Sequence, residues 1–195
     1  MNDKKLSKML ERYLENKRNE MKRKFNRVLP TGELLFNRFE KAVYLSCGEE
    51  TSIYDTSVIM GDVQIGSHVW IGPYTTLEGI NAKLCIGNYV TISAGVAIYT
   101  HDSTKHYLSP SESFSVGTVT IGDHTVIGTM SMIACNVSIA DHCVIGAHSF
   151  VNKDIPAYSI AAGVPAKVIG RVLINDEGKV EFLYPDKNPN IERHF

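Results

Sequence analysis

The stretch VTIGDHTVIGTMSMIACNVSIADHCVIGAHSFV, residues 119–151, places an aliphatic residue at every sixth position. The same spacing occurs three times along the chain, with aliphatic residues at positions 53, 59, 65, 71 and 77, at 86, 92 and 98, and from 121 to 151. A small or β-branched residue often stands four places later, such as Val69 after Ile65 and Cys143 after Ile139. A period of six fits neither an amphipathic helix nor an antiparallel meander.

A six-residue unit with one large and one small inward side chain forms a short strand followed by a corner. Three units close a triangular coil, and successive coils stack their aliphatic residues in layers. The fourteen units predict a mainly β chain folded as a parallel β-helix of between four and five coils. We expect this domain to span residues 48–170, between an N-terminal helical segment at 1–47 and a C-terminal hairpin and tail at 171–195.

The sequences on either side of the coil predict helices before it and a hairpin after it. An apolar stripe predicts a helix from Lys4 to about Val28, ended by the sequence Pro-Thr-Gly at 30–32, and a second short helix over Glu33–Leu45. Residues 171–184 read as a hairpin around the turn sequence Asn-Asp-Glu-Gly at 175–178.

Composition and charge limit the class of protein. The chain has 195 residues, a formal net charge of −1 and 44% apolar residues, which excludes a disordered chain and disfavours a dedicated nucleic-acid binder. Residues 1–27 hold ten Lys and Arg against four Asp and Glu, a net of +6, whereas residues 51–170 hold only four basic residues, all Lys. Without an apolar run of about 20 residues or a secretory signal, we expect a cytoplasmic protein with at most peripheral membrane contact. The four scattered cysteines predict neither disulfides nor a CxxC site.

Two interruptions of the repeat stand out. A three-residue slip at 79–81 predicts a bulge at a corner of the coil. The longer break YTHDSTKHYLSPSESFSVGT, residues 99–118, predicts a polar loop that leaves the coil and carries His101 and His106. Long loops on a regular scaffold are usually functional or disordered, which makes this loop the first place to look for a site.

Four stretches, VWIGPYTTLEG (69–79), ISAGVAIYTHDS (92–103), CVIGAHSFVNKDIP (143–156) and AAGVPAKVIG (161–170), resemble the hexapeptide-repeat acyltransferases, in particular the sugar O-acetyltransferases of polysaccharide and lipopolysaccharide biosynthesis. The resemblance implies a left-handed coil and a homotrimer with donor sites in clefts between neighbouring chains. It also implies direct transfer of an acetyl group from acetyl-CoA to a sugar or nucleotide-sugar acceptor, with no metal.

The resemblance places the catalytic histidine at His101, in the sequence Thr-His-Asp. A sugar hydroxyl is a poor nucleophile, and an imidazole with a pKa of about 6.5 is suited to remove its proton. A base of this kind works better when an acceptor holds its other ring nitrogen. Asp102, which follows His101 directly, and Glu78, roughly one coil earlier, are the candidates for that acceptor, and Glu78 is also a candidate to bind a sugar hydroxyl.

The resemblance also assigns residues to the donor and the acceptor. The motifs VNKDIP and PAKVIG imply that Asn152, Lys153, Lys167 and Arg171 contact the CoA phosphates, although Gly170 replaces the Arg of some relatives and Val126 the Trp of many. Backbone contacts with the pantetheine arm are implied at Thr129 and Ala147. Trp70 and Tyr74 are candidates for an apolar sugar platform, and packing at a subunit interface explains them equally well.

Three other functions use the same scaffold. A nucleotide-amino-sugar N-acetyltransferase differs only in its acceptor. A zinc enzyme like the γ-class carbonic anhydrases, which take three histidine ligands from two subunits, would draw on His68, His101 and His106. A non-catalytic scaffold would bind no acyl-CoA. The remaining coil histidines, at 124, 142 and 148, are expected to face solvent, and the inward position of Cys143 disfavours a cysteine nucleophile.

Overall fold

The computed structural model describes residues 3–185. Its helices are α1 (Asp3–Phe25), α2 (Thr31–Leu35), α3 (Arg38–Tyr44) and α4 (Thr104–Leu108). Its strands, many only two residues long, are β1 (Ser52–Ile53), β2 (Val58–Ile65), β3 (Trp70–Ile71), β4 (Thr76–Ile86), β5 (Thr91–Ile92), β6 (Ala97–Ile98), β7 (His101–Asp102), β8 (Ser115–Val116), β9 (Val119–Ile121), β10 (Val126–Ile127), β11 (Met132–Ile133), β12 (Ser138–Ile139), β13 (Val144–Ile145), β14 (Phe150–Val151), β15 (Ser159–Gly163), β16 (Ala166–Ile174) and β17 (Val180–Leu183).

The strands stack in three parallel columns, which form the three faces of a coil. Face A holds β1, β3, β5, β10, β13 and β15. Face B holds the first parts of β2 and β4 with β6, β11 and β14, and face C holds their second parts with β9 and β12. The predicted parallel β-helix is confirmed. It has about six turns rather than four to five, because the bridge at Ile155 and strand β15 add rungs that depart from the six-residue period.

The repeated aliphatic residues form the core. On face A, Ile53, Ile71, Ile92 and Ile127 are each 0% exposed, and they stack in register because their strands pair residue by residue. Burying one such side chain stabilises the fold by about 1.5–3 kcal/mol. The coil is therefore a rigid frame on which loops and corners are held in fixed positions.

The N-terminal helices differ in detail from the prediction. Helix α1 ends at Phe25, and the single helix expected over 33–45 is wrong, because the chain breaks between α2 and α3. The break follows from Asn37, whose side chain accepts a hydrogen bond of 2.9 Å from the Phe39 N–H and so caps α3. Lys41 in α3 donates to three carbonyl groups, including that of Ser57 at 2.7 Å, and fastens the helix to the first corner of the coil. No helix within residues 3–185 has the length and apolar character needed to cross a membrane.

The C-terminal hairpin is confirmed, and it is joined to the coil. Strands β16 and β17 pair antiparallel, and β16 also pairs antiparallel with β15, so the hairpin extends face A. The turn closes with a 2.8 Å bond from the Gly178 N–H to the Asn175 carbonyl, and Gly178 has a φ of +78°. Position 170, the expected end of the coil, lies inside β16; residues 186–195 of the expected tail are outside the described residues.

Both interruptions occur at the corner between face B and face C. After the slip at 79–81, β4 continues to Ile86, and its register against β2 shifts between Gly61 and Val63. The loop at 99–118 leaves from the same corner, and its two ends are held together by the antiparallel pair β7 and β8. The bulge and the base of the loop are neighbours on successive turns, which brings Glu78 close to His101.

Candidate active site

The centre of the candidate site is a pair formed by Glu78 and His101. Oε2 of Glu78 lies 3.0 Å from Nδ1 of His101. The glutamate side chain is 1% exposed and the histidine side chain 27% exposed. The expectation that Glu78 lies alongside His101 from about one coil earlier agrees with this geometry. The imidazole of His101 thus covers the buried Glu78 carboxylate and is itself accessible to a ligand.

Three other protein groups hold the Glu78 carboxylate in place. The Thr100 N–H donates to Oε2 at 2.9 Å, the Thr100 hydroxyl lies 3.2 and 3.3 Å from the two oxygens, and the Ile80 N–H donates to Oε1. The Ile80 donor exists because the bulge turns its backbone back toward the glutamate. The three-residue slip therefore places a backbone N–H where it donates a hydrogen bond to a buried carboxylate.

These contacts decide the charge of Glu78. Burial alone raises the pKa of this carboxyl, but the hydrogen bonds from Thr100, Ile80 and His101 outweigh it, and the pKa lies below its ordinary value. An ionised carboxylate only accepts hydrogen bonds, so Nδ1 of His101 carries a proton and donates it. In the neutral imidazole this tautomer leaves Nε2 unprotonated, which is the form that a general base requires.

Asp102 has a different partner. Its Oδ1 accepts a hydrogen bond of 2.8 Å from the Thr104 N–H at the start of α4. The bonds with Thr104 lower the pKa of Asp102, and the carboxylate is exposed. The structure therefore brings Glu78, and not Asp102, to the ring nitrogen of His101, while Asp102 fixes the start of the loop helix.

Phe114 contacts His101, and His106 and Cys135 lie in or beside the same loop. The ring of Phe114 lies nearly parallel to that of His101, with centroids 6.1 Å apart, and edge-on to that of His106 at 5.0 Å. Nδ1 of His106 donates to the Glu112 carbonyl at 2.8 Å and so holds the loop together. Cys135, one turn further along the coil, is half-buried below β8, and burial together with Asp102 and Glu78 raises the pKa of its thiol.

The residues expected to bind the donor lie elsewhere on the chain. Thr129 and Ala147 follow β10 and β13, so they stack at the corner between face A and face B, where both are exposed. Asn152 and Lys153 follow β14 at the corner between faces B and C, one turn beyond Cys135. Lys167 and Arg171 lie in β16 and are exposed. Within one chain, a full face of the coil separates Thr129 and Ala147 from His101.

The proposed sugar platform is also distant from His101 in the topology. Trp70 lies on face A, where its ring meets Tyr54 edge-on with centroids 5.9 Å apart. Tyr74 occupies the corner between faces A and B with a φ of +60° and is 65% exposed. The structure does not bring either residue to the Glu78–His101 corner of the same chain.

A column of stacked rings runs along the remaining corner. His68, Tyr89, His124, His142 and Tyr158 lie on successive turns with centroids 4.4–4.9 Å apart. His124 and His148 are exposed, as expected, whereas His142 is half-buried, and both His124 and His142 also pack between rings of the column. The sequence shows that these rings recur about once per turn, but it does not show that they align at one corner.

Zinc ligands do not converge in the described part of the chain. Within residues 3–185, no three His, Cys, Asp or Glu side chains form a group that could hold a metal ion. Nδ1 of His101 contacts Glu78 in β4, whereas Nδ1 of His106 contacts the Glu112 carbonyl in the loop.

Comparison with known proteins agrees with this architecture. A family model described as bacterial transferase hexapeptide (six repeats) matches residues 118–153. The chain is also 33% identical over 136 residues to the dTDP-4-amino-4,6-dideoxy-D-glucose acyltransferase of Escherichia coli, a match that covers 64% of this chain and 70% of that enzyme. The chain belongs to the hexapeptide-repeat acyltransferases. The resemblance seen in the sequence is thereby confirmed for the family, but not for the sugar O-acetyltransferases within it.

Other hexapeptide-repeat acyltransferases match with different coverage. The crystal structure of AntD, an N-acyltransferase from Bacillus cereus in complex with dTDP and 3-hydroxybutyryl-CoA, superposes with a TM-score of 0.59 at 28% identity, over 63% of this chain and 70% of that one. The 2,3,4,5-tetrahydropyridine-2,6-dicarboxylate N-acetyltransferase of Lacticaseibacillus paracasei is 50% identical over 72 residues, which are 37% of this chain and 31% of that enzyme. These relatives are named for N-acyl transfer or for an amino-sugar substrate, not for O-acetyl transfer.

Proposed function

We propose that this hexapeptide-repeat acyltransferase transfers an acyl group from acyl-CoA to the amino group of a nucleotide-activated amino sugar. The observation that carries the acceptor class is the 33% identity to an enzyme named for a dTDP-amino sugar, over 70% of that enzyme's length. The Glu78–His101 pair supports the chemistry, since both amine and hydroxyl acceptors must lose a proton during acyl transfer.

In the proposed reaction, Glu78 is the positioning residue and His101 the base. The neutral amine attacks the thioester carbonyl, so the new C–N bond forms while the C–S bond breaks. The surplus proton of the amine passes to Nε2 of His101, and the departing thiolate takes it up as CoA leaves. The resulting imidazolium is stabilised by the ionised carboxylate 3.0 Å from Nδ1. No covalent enzyme intermediate is needed, because one cleft holds both substrates in contact.

The donor in this proposal is an acyl-CoA, whose phosphates need cations. Residues 51–170 hold only four lysines, of which Lys153 lies in the last turn of the coil and Lys167 in β16 just after it, with Arg171 in the same strand. All three are exposed, which fits a role toward the phosphates. Thr129 and Ala147 would contact the pantetheine arm, as the family resemblance implies.

The arrangement favours a site shared between copies of the chain. Thr129 and Ala147 occupy one corner of face B and His101 the opposite corner, so one chain does not place them side by side. A homotrimer, in which the corner of one coil faces that of the next, would bring donor and base together. Trp70 and Tyr74, away from His101 in their own chain, would then lie at the interface or beside a neighbour's acceptor.

A sugar O-acetyltransferase is the second candidate. The sequence around His101, ISAGVAIYTHDS at 92–103, resembles the enzymes that acetylate sugar hydroxyls. A base held by a buried carboxylate is also suited to this harder case, because a hydroxyl gives up its proton far less readily than an ammonium group.

A matched acceptor panel tests the proposal. Acetyl-CoA is offered with nucleotide sugars that differ at one carbon only, carrying either an amine or a hydroxyl, and thiol release is read together with the mass of the product. We expect acetylated amine products and slow or no reaction with the hydroxyl counterparts. Preferred acetylation of hydroxyls would replace the first candidate with the second, and the absence of thiol release with every acceptor would contradict both.

A further inference from the structure

Helix α1 is a long element with little packing of its own. Its 23 residues extend about 35 Å at ~1.5 Å per residue, and none is buried. Its C-terminal half adjoins α2 and α3, where Met21 and Phe25 line a cavity of about 320 Å³ together with Phe36 and Phe39. Tyr13 lines a second cavity beside α2, and the residues before it line no cavity with another element of the described chain.

That N-terminal half carries an apolar stripe. Leu6, Met9, Leu10 and Tyr13 follow the spacing i, i+3, i+4 and i+7, which places them on one face of the helix. They are 49%, 55%, 49% and 47% exposed, respectively. A soluble helix normally turns such a face toward its own core, whereas here only its last residue, Tyr13, lies beside another element of the described chain, namely α2.

Positive charge surrounds the stripe. Lys5 and Arg12 adjoin Met9 at helical spacings of four and three residues, and Nζ of Lys17 lies 5.8 Å from the centre of the Tyr13 ring. Residues 3–17 hold five Lys and Arg against three Asp and Glu, a net charge of 5 − 3 = +2, and residues 1–27 as a whole carry +6. A short apolar face flanked by Lys and Arg is the pattern of helices that lie in the surface of an anionic bilayer.

The same residues disfavour a bundle of α1 helices from several copies. A coiled coil needs apolar residues at the seam over three or four heptads, whereas this stripe ends after two turns. The positions that continue it are Lys17, Glu20 and Lys24, which pair with one another at 3.7 and 2.7 Å. Bringing several segments of charge +6 together would also add repulsion.

We propose that the N-terminal half of α1 is a membrane-surface anchor that recognises anionic lipid. The apolar stripe enters the headgroup region, and the flanking Lys and Arg contact lipid phosphates. The proposal concerns residues 3–17 and is independent of the acceptor of the acyl transfer.

The test is co-sedimentation of the full chain with vesicles of phosphatidylcholine alone and of phosphatidylcholine mixed with phosphatidylglycerol. We expect binding to the mixed vesicles only, weakened by added salt. Leu10→Glu should abolish it, and Lys5→Glu should weaken it by about fivefold, the effect of one basic residue near an anionic surface. Val180→Glu and Lys179→Glu are the matched controls in the C-terminal hairpin, where the side chains are also exposed, and both should bind like the unchanged protein.

Circular dichroism and acyl-transfer activity show that each variant is folded. Three results would overturn the proposal: no sedimentation with either vesicle, equal sedimentation with both, or a Leu10→Glu variant that still binds. Light scattering is measured on the same samples, because loss of self-association in Leu10→Glu without any lipid binding would assign the stripe to a second copy of the chain instead.

Discussion

Glu78 and His101 are 23 residues apart in sequence, yet Oε2 of the first lies 3.0 Å from Nδ1 of the second. The acid comes from the bulge and the base from the foot of the loop, on successive turns of one corner. The Ile80 N–H, in the slip that follows Glu78, donates to the same carboxylate, so irregular parts of the coil contribute to the candidate site.

Glu78→Gln tests whether the carboxylate positions His101. The amide offers one acceptor oxygen to the donors of Thr100, Ile80 and His101, and its NH₂ group must oppose at least one of them. We expect kcat to fall by about 10–100-fold, the loss seen when a group that orients a histidine is removed, with little change in KM. The free energy of unfolding should fall by about 1–3 kcal/mol, the cost of one unsatisfied buried polar group.

Asp102→Asn is the matched control for that substitution. Its carboxylate bonds the Thr104 N–H and is exposed, and an amide oxygen can accept the same bond. We expect kcat within a few-fold of the unchanged enzyme. A larger loss for Asp102→Asn than for Glu78→Gln would assign the positioning role to Asp102.

The lowered pKa of Glu78 predicts a dependence of stability on pH. Because the folded state favours the ionised carboxylate, its contribution is present above the ordinary pKa of 4.5 and is lost as the pH falls through the lower native value. The melting temperature of the unchanged protein should therefore drop more steeply in acid than that of Glu78→Gln. Equal slopes below pH 4.5 would show that the fold gains nothing from the charge.

We expect Lys153 and Lys167 to contribute to binding of the acyl-CoA donor and not of the acceptor. Lys153→Ala and Lys167→Ala should each raise the KM for acetyl-CoA by up to about tenfold, equivalent to roughly 1.4 kcal/mol. The KM for acetyl-pantetheine, which lacks the phosphoadenosine group, should be unaffected. Lys179→Ala, in the exposed part of the hairpin, serves as the charge control. Equal effects on both donors would assign these lysines to the fold.

Neighbouring residues of β10 test the role of the aliphatic columns. Ile127 is 0% exposed in the core of face A, and Val126 beside it is 40% exposed. Ile127→Ala should lower the free energy of unfolding by about 2–5 kcal/mol, because it opens a cavity between turns. Val126→Ala should change it by about 0.5 kcal/mol or less. Denaturant titration of both variants measures the difference, and similar losses would contradict a core made by alternate residues.

The regular part of the fold was predictable and the irregular part only partly so. Residues such as Ile71 and Ile145 predict the three-faced coil, because their six-residue spacing is the length of one side of a turn. The position of Glu78 followed from counting one coil back from His101. The ring of Phe114 did not, since residues 99–118 obey no period and their contacts depend on the path of the loop.

Other differences have equally local causes. The break between α2 and α3 comes from a single cap at Asn37, which competes with the continuous helix that the apolar pattern favours. The stacked His124 and His142 are outward-facing, as their place in the repeat predicts, yet they contact one another because the turns lie close together. The repeat does not predict the acceptor, because enzymes that acylate hydroxyls and enzymes that acylate amines share the same coil.

The most direct test of the account is the rate of acyl transfer by His101→Ala, measured as thiol release from acetyl-CoA with the preferred nucleotide-sugar acceptor. Binding of CoA is measured by calorimetry on the same preparation, to show that the variant retains its donor site. The account predicts a fall in kcat of about 10²–10⁴-fold, the usual contribution of a general base, with CoA binding unchanged. A His101→Ala enzyme that transfers the acyl group at the rate of the unchanged protein would contradict it.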